Sequence, residues 1–313
     1  MTAFIRALDR ALTVREIVAA SGGAAHIVGE PERRVEGLGA LQPGYPHTLT
    51  FCDAGSTQDR AAKSQASVIL VSEPWQPAAD QTRIVVDDPR AAFIHLVEHL
   101  LPGSGRPREP ATGVHPSARI HADAEISPAA AIGANVAIGA GTRVGANAVI
   151  YDNCTIGANC CIGPGAVVGW VGLAYHQGKS GRREFFPHLG GVRIGDWVDV
   201  GANSCICRGM LSDTMIGDSA KVGSLVYVSH GTVIGDNAWV SASVALAGHS
   251  NVGANAVLGI GAVLIDNVVL APGVIVGGGG VVTRAAAAGE KLVGVPARHA
   301  PGLRRFGPTP RGD

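Results

Sequence analysis

The sequence predicts a left-handed parallel β-helix of hexapeptide repeats, preceded by a small α/β domain. Three observations carry this reading. An aliphatic residue recurs every six positions from Val114 onward; glycine reaches 44 of 313 residues while aromatics make up only 4%; and the stretch before Val114 shows no such period. Few aromatics and many glycines suit a fold of tight turns with small or β-branched residues inside.

The period is unusually complete. Val114, Ile120, Ile126, Ile132, Ile138, Val144, Ile150, Ile156, Ile162 and Val168 form one run; Ile194, Val200 and Ile206 a second; and Ile216 through Val276 a third of eleven positions. A period of six matches neither the 3.6 of a helix nor a long strand. It fits short extended segments joined by sharp corners, three segments closing one coil of about 18 residues, with the aliphatic side chain pointing inward. Gly, Asn and Asp suit the corners because they tolerate positive φ. The 24 positions give about eight coils, or on the order of 40 Å at the spacing of neighbouring strands. Two breaks interrupt the frame. Residues 169–193, too long for a corner, are expected to project as a loop carrying aromatic, His and Arg side chains; Cys207–Met210, near Asp213, is a smaller bulge. Loops on a rigid scaffold are where ligand contacts concentrate.

Before the repeat, Thr13-Val14-Arg15-Glu16 has the form of a capping box opening a short helix. Extended apolar runs follow at Leu49–Cys52, Ser67–Val71 and Arg83–Val86. A second helix is expected over Arg90–Leu101, with Ala92, Ile94, Leu96, Val97 and Leu100 on its buried face. The expected organisation is therefore a small α/β domain over 1–101, a Gly- and Pro-rich linker over 102–113, the β-helix over 114–300 and a short tail over 301–313.

Charge and cysteine usage narrow the function. With 25 basic and 25 acidic residues there is no basic field to hold nucleic acid or an anionic membrane surface. No window offers a transmembrane segment, and the charged N-terminus does not read as a signal peptide. The six cysteines lack paired zinc-ligand spacing and, in a chain of this length, do not suggest a disulfide framework. A cytoplasmic protein with reduced thiols and no bound metal is expected. Cys154 and Cys160, six apart, read as fillers of a stacked position, and His115 and His121, also six apart, as solvated residues on one face.

The segments "LTVREIVAASGG", "VEGLGALQPG", "LTFCDA", "QASVILVS", "RIVVDDPRAAF", "GVHPSARIH", "HLGGVRIGDWVDVGAN", "RGMLSDTMIGD" and "VSHGTVIGDN" occur in that order. In this order the chain resembles the UDP-3-O-(3-hydroxyacyl)glucosamine N-acyltransferases of lipid A synthesis, over about residues 12–300. The resemblance implies a uridine-binding domain ahead of a homotrimeric β-helix. It also implies no permanently bound cofactor and an acyl chain delivered as a thioester by acyl carrier protein, or by the pantetheine of CoA, to a nucleotide-sugar amine. The family's catalytic histidine falls on His230, its oxyanion-binding backbone N–H on Gly248, and its uracil-stacking phenylalanine on Phe51. Spacing supports the first pair independently, since the interval from His230 to Gly248 is one coil. Other positions differ from the family: Thr57 stands where a tyrosine assists uracil, Cys207 for an aspartate, Gly223, Ser224 and Leu225 for polar residues, Gly231 for an asparagine, and Asn267 for a second histidine.

Acyl transfer from a thioester to an amine needs a base for the amine's proton and a donor for the tetrahedral oxyanion. His230 is the expected base and Gly248 the expected donor. His249, next to Gly248, is expected to contact phosphate or pantetheine, and Tyr175 and His188 of the long loop to hold sugar. Three other readings stay open from sequence: a nucleotide-sugar N-acetyltransferase using acetyl-CoA, a non-catalytic sugar-nucleotide-binding scaffold, and a zinc hydratase. The last would need a third histidine beside His230 and His249.

Overall fold

A computed structural model describes residues 5–21, 25–53, 58–178, 181–296 and 298–299. The chain divides into two compact units. The first comprises Met1–Arg106, Leu173–Gly190 and Met210–Ser212; the second comprises Pro107–Gly172, Gly191–Gly209 and Asp213–Asp313.

The first unit is built on β1 (Ile5–Thr13), α1 (Val14–Ala20), β2 (His26–Val28), β3 (Arg34–Gly39), β4 (Thr48–Phe51), α2 (Gln58–Ala62), β5 (Val68–Val71), β6 (Thr82–Val85) and α3 (Pro89–Leu100). The strands form one sheet in the order β1-β3-β4-β5-β6-β2, parallel through β3-β4-β5-β6 and edged by the antiparallel β1 and β2. The capping box at Thr13 is made in full: the Glu16 N–H donates to Thr13 Oγ1 at 3.2 Å, and the Thr13 N–H donates to Glu16 Oε2 at 2.7 Å. Asp88 caps α3 by accepting from the Ala91 N–H at 3.0 Å, with Pro89 in the first turn, where its missing N–H costs nothing. Phe93, Ile94, Leu96 and Val97 of α3 pack on the sheet's principal face with Val14, Ile17, Leu38, Leu49 and Phe51.

Residues 173–190 do not stand off as a free loop. Tyr175–Gln177 and Arg183–Phe185 pair as an antiparallel hairpin, and Phe186, Leu189 and Leu211 complete the first unit's core. Phe186 stacks on Phe93 with ring centroids 6.0 Å apart. His176 Nε2 reaches the α3 cap, 2.7 Å from Asp88 Oδ2. The physical reason is apolar area: the insertion's aromatics have a sheet face to cover. On the opposite face Cys52, Ala61, Ala66, Ile69 and Val71 form a smaller cluster. Beside Ile69 in register lies Arg83, fully buried; its Nη2 donates to Gln81 Oε1 at 2.6 Å while its Nε and Nη1 have no partner.

The second unit is a parallel β-helix. Short rungs, most of two residues, fall into three sheets of nine, eight and ten strands, the last including the antiparallel Arg298–His299, and successive parallel rungs pair in register one coil apart, as Ile132 with Ile150 and Ile138 with Ile156. Every sixth aliphatic residue points inward, and the residue two places before it is a second, smaller inward position, as in Ala148, Ala166, Ala220 and Ala256. Cys154 and Cys160 occupy that smaller position on successive corners. Residues six apart therefore do not stack; the stacked pairs are 18 apart, so Cys160 lies on Thr142 and its N–H donates to the Thr142 hydroxyl at 3.0 Å. The same correction separates His115 from His121, which follow rungs of different sheets. Corners carry positive φ at Asn135, Asn153, Asn237 and Asn255, among others, and the Asn237 amide donates to Asn255 Oδ1 at 2.7 Å. The helix continues past Val276, with further rungs at Val281–Val282 and Lys291–Val293, and its last edge is covered by the antiparallel Arg298–His299. Residues 301–313 lie outside the described residues. Among the described residues no helix is long and apolar enough to cross a membrane.

Candidate active site

The corner that carries His230 is held by the motif upstream of it. In "RGMLSDT", Arg208 is buried; its Nε donates to the Gly169 carbonyl at 2.6 Å and its Nη2 to the Asp152 carbonyl and carboxylate at 2.9 and 2.8 Å. Asp213 accepts from the Gly191 N–H at 2.7 Å and from Arg193 Nε at 2.8 Å. Both residues thus fix the places where the chain leaves the coils and returns. Thr214, the last residue of the motif, takes the Gly231 N–H on its hydroxyl at 3.0 Å, which anchors the residue after His230.

His230 follows the rung Tyr227–Val228 and is 9% exposed. One coil later, Gly248 occupies the same corner. A Cβ on Gly248 would stand 2.5 Å from His230 Cε1 and 3.0 Å from Nε2, so the imidazole lies directly against the glycine. Gly248 does not have positive φ; the position needs glycine for space rather than for backbone freedom. Its N–H donates no hydrogen bond among the described residues. The corner geometry leaves this N–H off the ladder in other coils too. There a carboxylate from the next coil can cap it, as Asp236 caps Asp218 at 3.0 Å and Asp218 caps Asp196 at 2.8 Å.

Two further titratable groups complete the cluster. His249 is exposed, its ring centroid 5.0 Å from that of His230 in an edge-on arrangement, and its N–H donates to the His230 carbonyl at 2.9 Å. Asp266 Oδ1 lies 3.0 Å from the same Gly248 Cβ point that His230 Nε2 reaches at 3.0 Å, so the carboxylate and the imidazole border one small space. Burial, and secondly the neighbouring His249, push the His230 imidazole down to about 4, with Asp266 pulling the other way. His230 is thus neutral at physiological pH, the form that accepts a proton. Asp266 is the residue sequence reasoning missed. Its signal was its place two coils beyond His230. Among the described residues, no group of three or more His, Cys, Asp or Glu converges as a metal site.

The other expected contact residues lie in the first unit. Phe51 is 8% exposed, its ring 5.1 Å from Phe93 and 5.7 Å from Phe186. The Arg90 guanidinium sits 5.4 Å over that ring, tied to Asp53 by two hydrogen bonds of 2.8 and 2.6 Å. Phe51 is therefore enclosed by protein rather than presented as an open stacking platform. Tyr175 is 45% exposed and meets Phe185 edge-on. His188 is buried, hydrogen-bonded through Nδ1 to the Phe186 carbonyl at 2.9 Å and stacked on Phe185; it packs the hairpin and does not face solvent. Thr57 lies outside the described residues. Cys207 places its Sγ 3.7 Å from the Tyr227 hydroxyl, and burial, then the Cys207 sulfur, push Tyr227 up to about 12.

The hexapeptide β-helix and the proteins it matches define the class of this chain as an acyltransferase. The family model described as UDP-3-O-(3-hydroxymyristoyl) glucosamine N-acyltransferase, LpxD, matches residues 32–99. A model of the GMPPB C-terminal domain matches 109–173, and one of the hexapeptide repeat of succinyl-transferase matches 213–247. The chain is 41% identical over 279 residues to a UDP-3-O-acylglucosamine N-acyltransferase of Albidiferax ferrireducens, covering 87% of this chain and 84% of that one. To the protein of the same name from Acidovorax sp. strain JS42 it is 46% identical over 227 residues, covering 70% and 68%. A UDP-N-acetylglucosamine acyltransferase from Campylobacter jejuni superposes with a TM-score of 0.49 at 22% identity, covering 60% of this chain and 74% of that one. The chain belongs to the family of UDP-3-O-acylglucosamine N-acyltransferases.

Proposed function

We propose that this protein transfers an acyl group from a thioester to the amine of a nucleotide-linked, 3-O-acylated glucosamine in the lipid A pathway, in the cytoplasm. His230 Nε2 takes the proton as the amine attacks the thioester carbonyl, and the Gly248 N–H donates to the oxyanion. The observation that carries this reading is the contact of the His230 ring with Gly248: base and unpaired donor share one small space, as an acyl-transfer centre requires. Neutral His230 is ready to act at pH 7. The donor is an acyl carrier protein thioester or acyl-CoA, whose pantetheine arm reaches the corner from outside the prism.

Assembly as a homotrimer is supported by the charge distribution on the β-helix. The outward residues of the rungs on the Tyr227 side, from Gly113 to Val281, include no charged side chain. The second side carries Arg119 and Arg193, and the third Glu125, Arg143, Asp199, Lys221 and Lys291. An uncharged face of this kind is what a permanent interface uses, and His230 stands at its corner.

The test pairs UDP-3-O-acylglucosamine with short-chain CoA and long-chain carrier-protein thioesters, read by mass spectrometry, for the parent and for His230→Ala. Long-chain N-acyl product, reduced about 10²–10⁴-fold by the substitution, is expected. Turnover with acetyl-CoA alone would overturn the lipid A assignment, and an unaffected His230→Ala would remove the mechanism.

A further inference from the structure

The His230 base takes the amine's proton and leaves open which group delivers one to the departing sulfur. When the tetrahedral intermediate collapses, the C–S bond breaks and the departing thiolate needs a proton. His249 is the imidazole that stands beside His230. Gly231, at φ +66°, has no side chain; a Cβ there would stand 2.5 Å from His249 Nδ1 and 2.7 Å from its Cε1, so the His249 ring occupies the space a larger residue would fill. Thr214 fixes Gly231, and the His249 N–H is tied to the His230 carbonyl. At this corner the two imidazoles are neighbours by construction.

Two imidazoles with centroids 5.0 Å apart do not both carry charge readily. His230 is buried and His249 exposed, and burial disfavours charge on His230. Asp266, close to His230, favours the presence of one positive charge.

We infer that His249 is a second catalytic residue, the general acid that protonates the leaving sulfur while His230 deprotonates the attacking amine. This rests on the acyl-transfer reading. In the full step the amine N–C bond forms and the thioester C–S bond breaks. The amine's proton goes to His230, and the sulfur receives one from His249. The proton left on His230 then passes to His249, directly or through one water, and the pair returns to its starting state with free thiol and amide as products.

The test uses His249→Asn, since asparagine already occupies many of these corners at positive φ, as at Asn237 and Asn255; His249 itself has φ 56°. Rates are compared for UDP-3-O-acylglucosamine with three donors of one acyl group: the CoA thioester, the N-acetylcysteamine thioester, which lacks phosphate, and the thiophenol ester, whose leaving group needs no acid. His249→Asn is expected to lower kcat/KM by roughly 10²-fold with both alkyl thioesters and by less than about 3-fold with the aryl ester. His230→Ala is expected to be impaired with all three. Equal losses of the His249 variant on all donors, or a loss confined to KM for CoA that disappears with the phosphate-free donor, would overturn the acid role and leave the base intact. An unimpaired His230→Ala would instead bring down the underlying reading.

Discussion

Substituting Gly248 by alanine separates catalysis from folding in this molecule. The added Cβ would lie 2.5 Å from His230 Cε1, whereas non-bonded carbons settle at about 3.5–4.0 Å, so the ring must retreat by about 1 Å. Asp266 Oδ1, 3.0 Å from the same point, needs to yield only slightly. A displacement of about 1 Å at a catalytic group costs on the order of 10²-fold, equivalent to about 2.7 kcal/mol of transition-state stabilisation. No backbone strain accompanies it, because Gly248 is not in the left-handed region. Gly235 gives the contrast: there a Cβ would meet backbone atoms of Gly253 and Ala254 at 2.6–3.0 Å, and neither coil can yield without breaking its ladder. Gly248→Ala should therefore keep the parent thermal midpoint and lose about 10²-fold in kcat/KM; Gly235→Ala should lose stability first. Initial rates with a fixed thioester donor, beside thermal melts of both variants, decide the matter. A Gly248→Ala enzyme within 3-fold of the parent rate would refute the placement of His230 over Gly248 as the working geometry.

Two further expectations follow from buried charge. The folded-state pKa of His230, about 4, lies below the unfolded value of about 6.5, so the unfolded chain binds more protons between them. Stability from this site is complete above pH ~6.5 and falls as pH drops toward 4, by about 3 kcal/mol in all; acid titration of the unfolding free energy should show that slope, and His230→Asn should remove it. In the first unit, Arg83 buries two unpartnered guanidinium nitrogens, and burial lowers its pKa. Arg83→Met should raise stability by about 1–3 kcal/mol, and a lower unfolding midpoint would show that the charge has a compensating partner.

The β-helix was legible because its period is set by geometry: one inward aliphatic per side, repeated without regard to the rest of the chain. The same arithmetic placed Gly248 beside His230. It did not reveal Asp266, because two coils of separation bring a residue near only when the intervening corner is as small as glycine. The insertion differs from its expected form for another reason. Length and composition mark residues 169–193 as leaving the prism, but only the three-dimensional packing shows that Phe186 and Leu189 cover the sheet of the first unit. Likewise, Phe51 looks like a free aromatic in sequence, and its enclosure by Phe93, Phe186 and Arg90 depends on segments far apart in the chain.

The threading of the insertion into the first unit has a consequence for biosynthesis. That unit is assembled from three separate stretches, and its core includes Phe186, Leu189 and Leu211. A ribosome that has released the stretch Met1–Arg106 has delivered the whole sheet and its helices but not those side chains. The amino-terminal unit, first to be made, must keep an apolar face uncovered until Leu211 has emerged. The early coils of the β-helix, by contrast, can stack as each rung appears, because each needs only its predecessor. The last contacts of the amino-terminal unit can close only after the coils that separate its pieces have been synthesised.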